Sequence, residues 1–564
     1  MQISHAIKWA VCVLAALNLA VVQARDLVVR NGVVLTMNDS MPRAGAVAVR
    51  DGYILAVGSE ADALGAVADD HDSIDLGGKT LLPGFVDSHG HAFGVGLQAS
   101  VANLLPPPDG EGADIEALIN LLRDWSQESA DTVERIDWIV GFGYDNAQLA
   151  EQRHPTRDDL DRVSTDFPVL VIHQSGHLGA VNSKALASIG ITADTPDPPG
   201  GVYRRREGST EPNGVLEEYA LFGVLFPFAA GFDDEFNDQL VIKGTRTLAS
   251  FGYTTAQEGR ATVTGLQAMR RVAERGELAI DLVSYPDVLA VKDFEVSREY
   301  RNNYRVAGVK LTIDGSPQGK TAWLSHPYHV PPAGQTTDYD GYAAIDEETT
   351  LAAIDGAFAK GWQILVHSNG DAATDRLLAA IEQSQSRYPD VDNRPVLIHG
   401  QVLRRDQVQR LDELGIFPSL FPMHTFYWGD WHRDSVLGPE RADNISPTGW
   451  LMERNMKFAS HHDAPVALPD SMRVLSATVT RRSRSGDILG PTHRVPVETA
   501  LKAMTIWPAW QHFEEDSKGS LEVGKLADFV VLSADPTGVP GDQLADLHVV
   551  QTFKRGELIY QRPE

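Results

Sequence analysis

The chain has 564 residues, of which 43% are hydrophobic and 22% charged, a composition that allows a large core and more than one domain. Its formal net charge of −28 argues against a phosphate-backbone partner, so nucleic acid is excluded as a target. The sole cysteine is Cys12, so the chain beyond it can form neither disulfides nor thiolate metal sites.

Residues 1–24 read as a secretory signal peptide. Lys8 supplies a positive n-region, 9–19 an apolar h-region, and Val22-Gln23-Ala24 a cleavage site. The apolar run is too short for a stable membrane span, and an uncleaved N-terminal anchor is the alternative. This places the mature protein in a bacterial periplasm or outside the cell. Segments 26–36 and 46–58 alternate in hydropathy, with Asn31-Gly32 and Asp51-Gly52 as hairpin turns. Segments 527–532 and 549–560, with a turn at Arg555-Gly556, answer them from the C-terminal end. The two ends, 25–80 and 516–564, are expected to form one β-sandwich flanking a domain at 81–515.

Within 81–515, strand-like runs alternate with helix-length segments such as 347–360 and 372–385, the grammar of parallel βα units. Strands are expected at 82–86, 253–257, 281–285, 309–313, 363–366, 396–398, 417–420 and 457–460. The fold class is therefore α/β, a (β/α)8 TIM-like barrel. The stretch between the first two strands is far longer than a normal βα loop. It carries its own helix at 114–125, a strand at 167–172 and a turn-rich loop at 196–201, so 95–240 reads as an inserted subdomain that could cover the barrel mouth.

Metal-competent side chains accompany these strands, at the face where such barrels build their sites. His89-Gly90-His91 follows the first strand. Strand alternation puts both rings on one face, which makes half of a divalent metal site. Lys310 lies within the fourth strand, His367 and His399 end the fifth and sixth, and His461-His462-Asp463 follows the eighth.

The chain resembles the amidohydrolase superfamily, in the long-chain branch that includes N-substituted formamide deformylases. The resemblance is carried by Pro83-Gly-Phe-Val-Asp-Ser-His-Gly-His91, Val181-Asn-Ser-Lys-Ala185, Val309-Lys-Leu-Thr-Ile-Asp-Gly-Ser316, His399, His462-Asp-Ala-Pro-Val466 and Gly519-Ser-Leu-Glu-Val-Gly-Lys-Leu-Ala-Asp528. It implies that His89 and His91 bind one metal and His367 and His399 a second. It also implies that Asp463 completes the first site and acts as the catalytic acid/base. Lys310 matches a carboxylated lysine bridging both metals; an unmodified lysine beside a single metal is the alternative. Two Zn ions suit His and carboxylate ligands, with Mn, Fe, Co or Ni open. A hydroxide shared by the metals would then attack the scissile carbonyl.

The candidate substrate contacts are His177, His424, Trp428 and His462. The resemblance implies that His173 and His177, in a region that relatives place near the substrate, either line the pocket or are satisfied structural histidines. The expected loop 421–432 is aromatic and either lines an apolar pocket, through Trp428 and His424 or His432, or packs on itself through Phe426, Trp428 and Trp431. One of His461 and His462 is expected behind the ligands. Asp314 either orients its surroundings or caps a turn. Arg481-Arg-Ser-Arg484 reads as a solvated or salt-bridged run.

The expected activity is exported, metal-dependent hydrolysis of a non-peptide C–N bond in an amide, N-acyl or N-formyl compound. The substrate is a small molecule, with an apolar or aromatic group as one option. Deamination, cyclic-amide opening and ester cleavage are alternatives on the same site, and a non-catalytic periplasmic binding protein is the alternative of another class. No stable membrane span is expected, and a homodimer is left open.

Overall fold

The computed structural model describes residues 25–332 and 334–563, so the expected signal peptide at 1–24 lies outside the described residues. Among the described residues no helix is long and apolar enough to cross a membrane.

The chain ends interleave. One sheet takes its strands in the order Tyr53–Gly58, Ala46–Arg50, Leu27–Arg30, Asp72–Asp75. A second runs Glu557–Gln561, Val549–Lys554, Phe529–Leu532, Thr80–Pro83, Val33–Leu35, Arg43–Ala44. Both contribute to one apolar cluster, with Val29 and Val47 from the first and Leu81, Phe529 and Phe553 from the second. The turns at Asp51-Gly52 (φ 52°, 81°) and Arg555-Gly556 (φ 51°, 79°) have the left-handed pair that a two-residue hairpin needs. The expected Asn31-Gly32 hairpin is absent: Leu27–Arg30 and Val33–Leu35 belong to different sheets. Asn31-Gly32 instead carries the chain between layers, and a Cβ at Gly32 would lie 2.4 Å from the Lys79 carbonyl.

The run expected as one strand at 82–86 is also divided. Leu82 and Pro83 pair with Val530 and Phe529, and only Phe85–Val86 joins the central strands, beside Tyr253–Ala261. Gly84 makes the crossing, where any Cβ would lie 2.3 Å from the Thr254 side chain.

The central strands are parallel and consecutive, in two sheets. Phe85–Val86, Tyr253–Ala261, Asp281–Pro286 and Tyr304–Val306 form the first. Gly308–Thr312, Gln363–Ser368, Val396–His399, Phe417–Leu420 and Ala459–Ser460 form the second. Eight strands in one sheet were expected. The break lies at Ala307, between Tyr304–Val306 and the expected fourth strand, found at Gly308–Thr312: Ala307 N–H donates to the Ser284 carbonyl (3.0 Å), while Val288 N–H reaches across to the Lys310 carbonyl (3.0 Å). At the other seam Val86 donates to Met504 and Ser460 to Ala503, both at 3.0 Å, so these two residues stand between first and last strands. The strands are buried nearly throughout, as expected where both faces of a parallel sheet are covered.

Residues 102–218 hold a six-stranded sheet with its own apolar clusters, one around Leu118, Ile119 and Val171, the other around Leu170, Val181 and Leu221. The expected helix is Ile115–Glu128, capped by Asp114, whose carboxylate accepts from Ala117 N–H at 2.8 Å. The chain leaves the central strands through helix Ala92–Gln98 and returns through Asp234–Ser250. These helices meet backbone to backbone: a Cβ at Gly96 would be 1.9 Å from Leu240 O, and one at Gly244 2.0 Å from Ala92 O.

Two local expectations are overturned. The segment after Phe417–Leu420 is not a loop but helix Met423–Trp431, which runs on into a π turn, His432–Val436. Its buried residues lie all round it, so it has no apolar stripe to signal a helix. The arginine run is not solvated. Arg481 is fully buried and donates to the carbonyls of Leu489 (2.6 Å), Ser446 (3.1 Å) and Ile445 (2.8 Å). Burial pulls its guanidinium down to about 9. Arg484 is half-buried, 5.0 Å from the Tyr427 ring centre. Arg482 alone is exposed.

Candidate metal centre

His89 and His91 lie beyond Val86, the last residue of their strand, so strand alternation does not align them. The turn does. Asp87 accepts from the N–H groups of His89 and Gln257, both at 3.0 Å. His91 N–H donates to Ala464 O (2.8 Å) and Asp463 N–H to His89 O (3.1 Å), which clasps the first and last strand ends together. His89 Nδ1 lies 2.8 Å from Gln257 Oε1, which turns Nε2 inward. His91 Nδ1 lies 3.5 Å from Glu258 Oε1.

The six residues expected as ligands converge. Asp463 Oδ1 is 3.3 Å from Nε2 of both His89 and His91. Lys310 Nζ is 3.0 Å from His89 Nε2. His399 Nε2 is 3.0 Å from His367 Nδ1 and 3.9 Å from Asp463 Oδ2. His399 and Asp463 both have left-handed backbone, with φ of 77° and 52°, a strained conformation for residues with a side chain. Behind the ligands, His461 Nε2 lies 3.1 Å from His399 Nδ1, and Ser419 Oγ lies 2.9 Å from His461 Nδ1. His367 Nε2 faces the Gly315 carbonyl at 3.2 Å.

Burial, reinforced by neighbouring positive groups, holds His89, His367 and His399 well below the usual imidazole range, so each presents a lone pair. Burial also pulls the Lys310 ammonium down to about 7. His91 goes the other way: Asp463 and Glu258 outweigh burial and raise it to about 9. Asp463 Oδ1 is buried and has no hydrogen-bond donor among the described residues. The neutral imidazoles of His89, His367 and His399, with a buried carboxylate oxygen that lacks a hydrogen bond, are a donor set that fits a divalent cation. His89, His399 and Asp463 offer atoms all within 4.8 Å of one another.

The expected substrate contacts divide. His177 reaches the cluster, its ring centre 6.0 Å from that of His367, and its Nδ1 lies 2.7 Å from Glu218 Oε2. Burial opposes its protonation, but Glu218 outweighs it and raises the imidazole. His462 is fully buried on the far side, its Nδ1 accepting from Ala464 N–H (2.8 Å) and its Nε2 3.4 Å from Asp87, so it braces the turn rather than facing a ligand. His424 and Trp428 are buried together: His424 Nδ1 lies 2.9 Å from His432 Nε2, and Trp428 Nε1 donates to Asp145 at 2.7 Å. His173 belongs to the same buried group, 3.3 Å from Asp145. Asp314 accepts from Asn369, Gly370 and Trp323 N–H groups at 2.8–3.1 Å, fixing the loops after the Lys310 and His367 strands. Gln257, Glu258 and Glu218 were missed by sequence. The first two had a signal, since Gln257 ends the strand expected at 253–257 and Glu258 follows it directly; Glu218 had none.

Residues 72–560 match the amidohydrolase family. The chain is 29% identical to the putative amidohydrolase YtcJ of Bacillus subtilis over 504 residues, covering 87% of this chain and 91% of that protein. It is 26% identical to the N-substituted formamide deformylase of Arthrobacter pascens over 560 residues, 96% of this chain and 99% of that one. Among solved structures, an uncharacterized metal-dependent hydrolase from Pyrococcus horikoshii shares the fold with a TM-score of 0.73 at 22% identity, covering 92% and 99% of the two chains. The fold is thus of the TIM-barrel α/β type.

Proposed function

From the premise that the chain belongs to the amidohydrolase family and is a hydrolase, we propose that it uses divalent metal to cleave a non-peptide C–N bond in an amide, N-acyl or N-formyl small molecule. The observation that carries this reading is the convergence of His89, His91, Lys310, His367, His399 and Asp463, each with a nitrogen or oxygen 3.0–3.9 Å from one of another member. Likeness to the formamide deformylase over nearly the whole chain supports the C–N bond.

His89 and His91 with Asp463 would hold one ion and His367 and His399 a second, with Lys310, as a carbamate, between them. When bound, zinc or a similar ion supplies Lewis acidity to the scissile carbonyl and acidifies the attacking water. Asp463 is placed to take the water's proton and deliver it to the leaving nitrogen, because its carboxylate faces the cluster and carries no competing donor on Oδ1. Gln257, Glu258 and His461 hold the three imidazoles they contact in one tautomer and orientation.

The same reading takes the central strands as a closed barrel, the two end sheets as a flanking sandwich, and 95–240 as an inserted subdomain. Export through 1–24 completes it. The test is product analysis on zinc-loaded protein offered formanilide, acetanilide, adenosine and phenyl acetate. Aniline with formate or acetate supports the proposal; ammonia or phenol as the main product contradicts it.

A further inference from the structure

Arg260 stands near the C-terminal end of the strand Tyr253–Ala261, and its chain neighbours hold it against the metal cluster. Gly259 N–H donates to Gly90 O at 2.8 Å, and a Cβ at Gly259 would lie 2.4 Å from His89 Cε1. Glu258, one step further back, is the partner of His91. Arg260 itself pairs with Asp287, which follows the next strand and forms a backbone bridge with Lys310. The Arg260–Asp287 pair therefore stands over the same strand ends that present His89, His91 and Lys310.

This ion pair uses one guanidinium nitrogen. Arg260 Nε donates to Asp287 Oδ2 at 2.9 Å, and neither Nη1 nor Nη2 has a hydrogen-bond or ion-pair partner among the described residues. Elsewhere in the chain arginines grip an aspartate with two nitrogens: Arg50 holds Asp26 at 2.8 and 2.7 Å, and Arg206 holds Asp158 at 2.8 and 2.7 Å. Asp287 is satisfied from its own loop, where Oδ1 accepts from Leu289 N–H (2.9 Å) and Ala290 N–H (3.2 Å). The other acids nearby have their own partners, Glu218 in His177 and Glu258 in His91 and the Phe93 N–H. The two Nη groups are thus left as a fork of donors whose geometry matches a carboxylate.

The fork is accessible and is directed toward the cluster's approach. The Arg260 side chain is 31% exposed and Asp287 15%, so the aspartate lies behind the guanidinium. The guanidinium carbon is 5.9 Å from the centre of the Phe222 ring. That ring is 6.1 Å from His177, whose ring is 6.0 Å from His367. Phe222 comes from the helix Tyr219–Ala230 and Arg260 from a central strand, so the two close one side of the space over the ligands. Burial is the largest brake on protonation of Lys310, His177 and His367, and the Arg260 charge adds to that brake in all three, so its field reaches the cluster.

We propose that Arg260 is a specificity-determining residue whose Nη1 and Nη2 bind a carboxylate on the substrate, so that the preferred amides are acidic ones. This rests on the amide-hydrolase reading above and narrows its substrate class. A guanidinium only donates, so the group it selects must accept, and a carboxylate fills both arms at once.

The test pairs 3- and 4-formamidobenzoate with formanilide, and racemic N-formylphenylalanine with N-formylphenethylamine, on zinc-loaded protein. Within at least one pair, wild type should favour the carboxylate in kcat/KM by about 10- to 150-fold. Arg260→Met should lose that factor on the carboxylate and less than about 3-fold on its neutral parent, with zinc per chain unchanged. Arg260→Lys, which keeps the charge without the fork, should fall between. No preference for any carboxylate in wild type, equal losses on both members of a pair, or loss of zinc in Arg260→Met would each overturn the inference while leaving amide hydrolysis standing. If wild type leaves all five amides uncleaved, the parent reading fails. Calorimetry with the same compounds as ligands then decides the inference alone: tighter binding of a carboxylate that Arg260→Met abolishes supports it, and binding unchanged by the substitution refutes it. If Arg260→Met does not fold, Arg260→Gln takes its place in each comparison.

Discussion

Replacing Gln257 by alanine probes how the centre is preorganised. Gln257 makes two side-chain contacts: Oε1 with His89 Nδ1 at 2.8 Å and Nε2 with Ser88 O at 2.8 Å. Ser88 O also receives Gln511 Nε2 at 2.9 Å, so it stays satisfied in the variant. The loss therefore falls on His89, which is 1% exposed. A buried N–H left unpaired costs about 1–3 kcal/mol, and removing an orienting partner of a metal-bound histidine typically weakens metal binding about 10- to 100-fold. That weakening corresponds to about 1.4–2.7 kcal/mol of binding free energy. Zinc affinity, measured by competition with a chromogenic chelator, should fall by that factor in Gln257→Ala. It should return to within a few-fold of wild type in Gln257→Glu, which keeps an acceptor. An alanine variant within about twofold of wild type would refute the idea that this contact aims His89.

Other perturbations address the site, the close contact between helices Ala92–Gln98 and Asp234–Ser250, and the buried Asp281. Asp463→Asn should keep its metal and lose about 10²- to 10⁴-fold in turnover, as expected when a proton carrier is removed; retained turnover would take the acid/base role from Asp463. Gly244→Ala should destabilise by about 3 kcal/mol or more, because the new methyl would meet Ala92 O at 2.0 Å, and since Ala92 follows His91 directly, metal affinity should fall too. Chemical denaturation and chelator competition on the same sample check both. Asp281 is buried with Lys518 Nζ at 2.5 Å and Lys554 Nζ at 2.7 Å. Burial raises its carboxyl, but the two lysines outweigh it and hold it well below the usual carboxylate range. A depressed pKa stabilises the fold above the unfolded value of about 3.9 and loses that contribution as pH falls toward the folded one. The urea midpoint of wild type should therefore drop more steeply from pH 5 to 3 than that of Asp281→Asn, and parallel slopes would contradict the assignment.

Much of the centre was legible because the chemistry sits where strand grammar is strong. β-Branched runs such as Gln363–Ser368 and Val396–His399 announce buried parallel strands, and His367 and His399 near their ends need no tertiary information to be noticed. What sequence could not supply was contact across the fold. Gln257 and Glu258 look like ordinary polar residues until Asp87 and the His89 turn are placed beside them. Glu218 ends an unremarkable strand, and its strained backbone is visible only in three dimensions. The helix at Met423–Trp431 was hidden because burial on all sides erases the 3.6-residue period. Arg481 was misjudged because charge runs are usually solvated, whereas here three carbonyls satisfy a buried guanidinium. The divided run at 82–86 shows a limit of hydropathy, since both halves are buried but in different sheets.

The central claim is that hydrolysis depends on metal held by these six side chains. The most direct measurement is formanilide hydrolysis by one preparation before chelator dialysis, after it, and after zinc is restored, with metal per chain determined at each stage. Activity should be lost with the metal and regained with it. Undiminished hydrolysis by metal-free protein would contradict it.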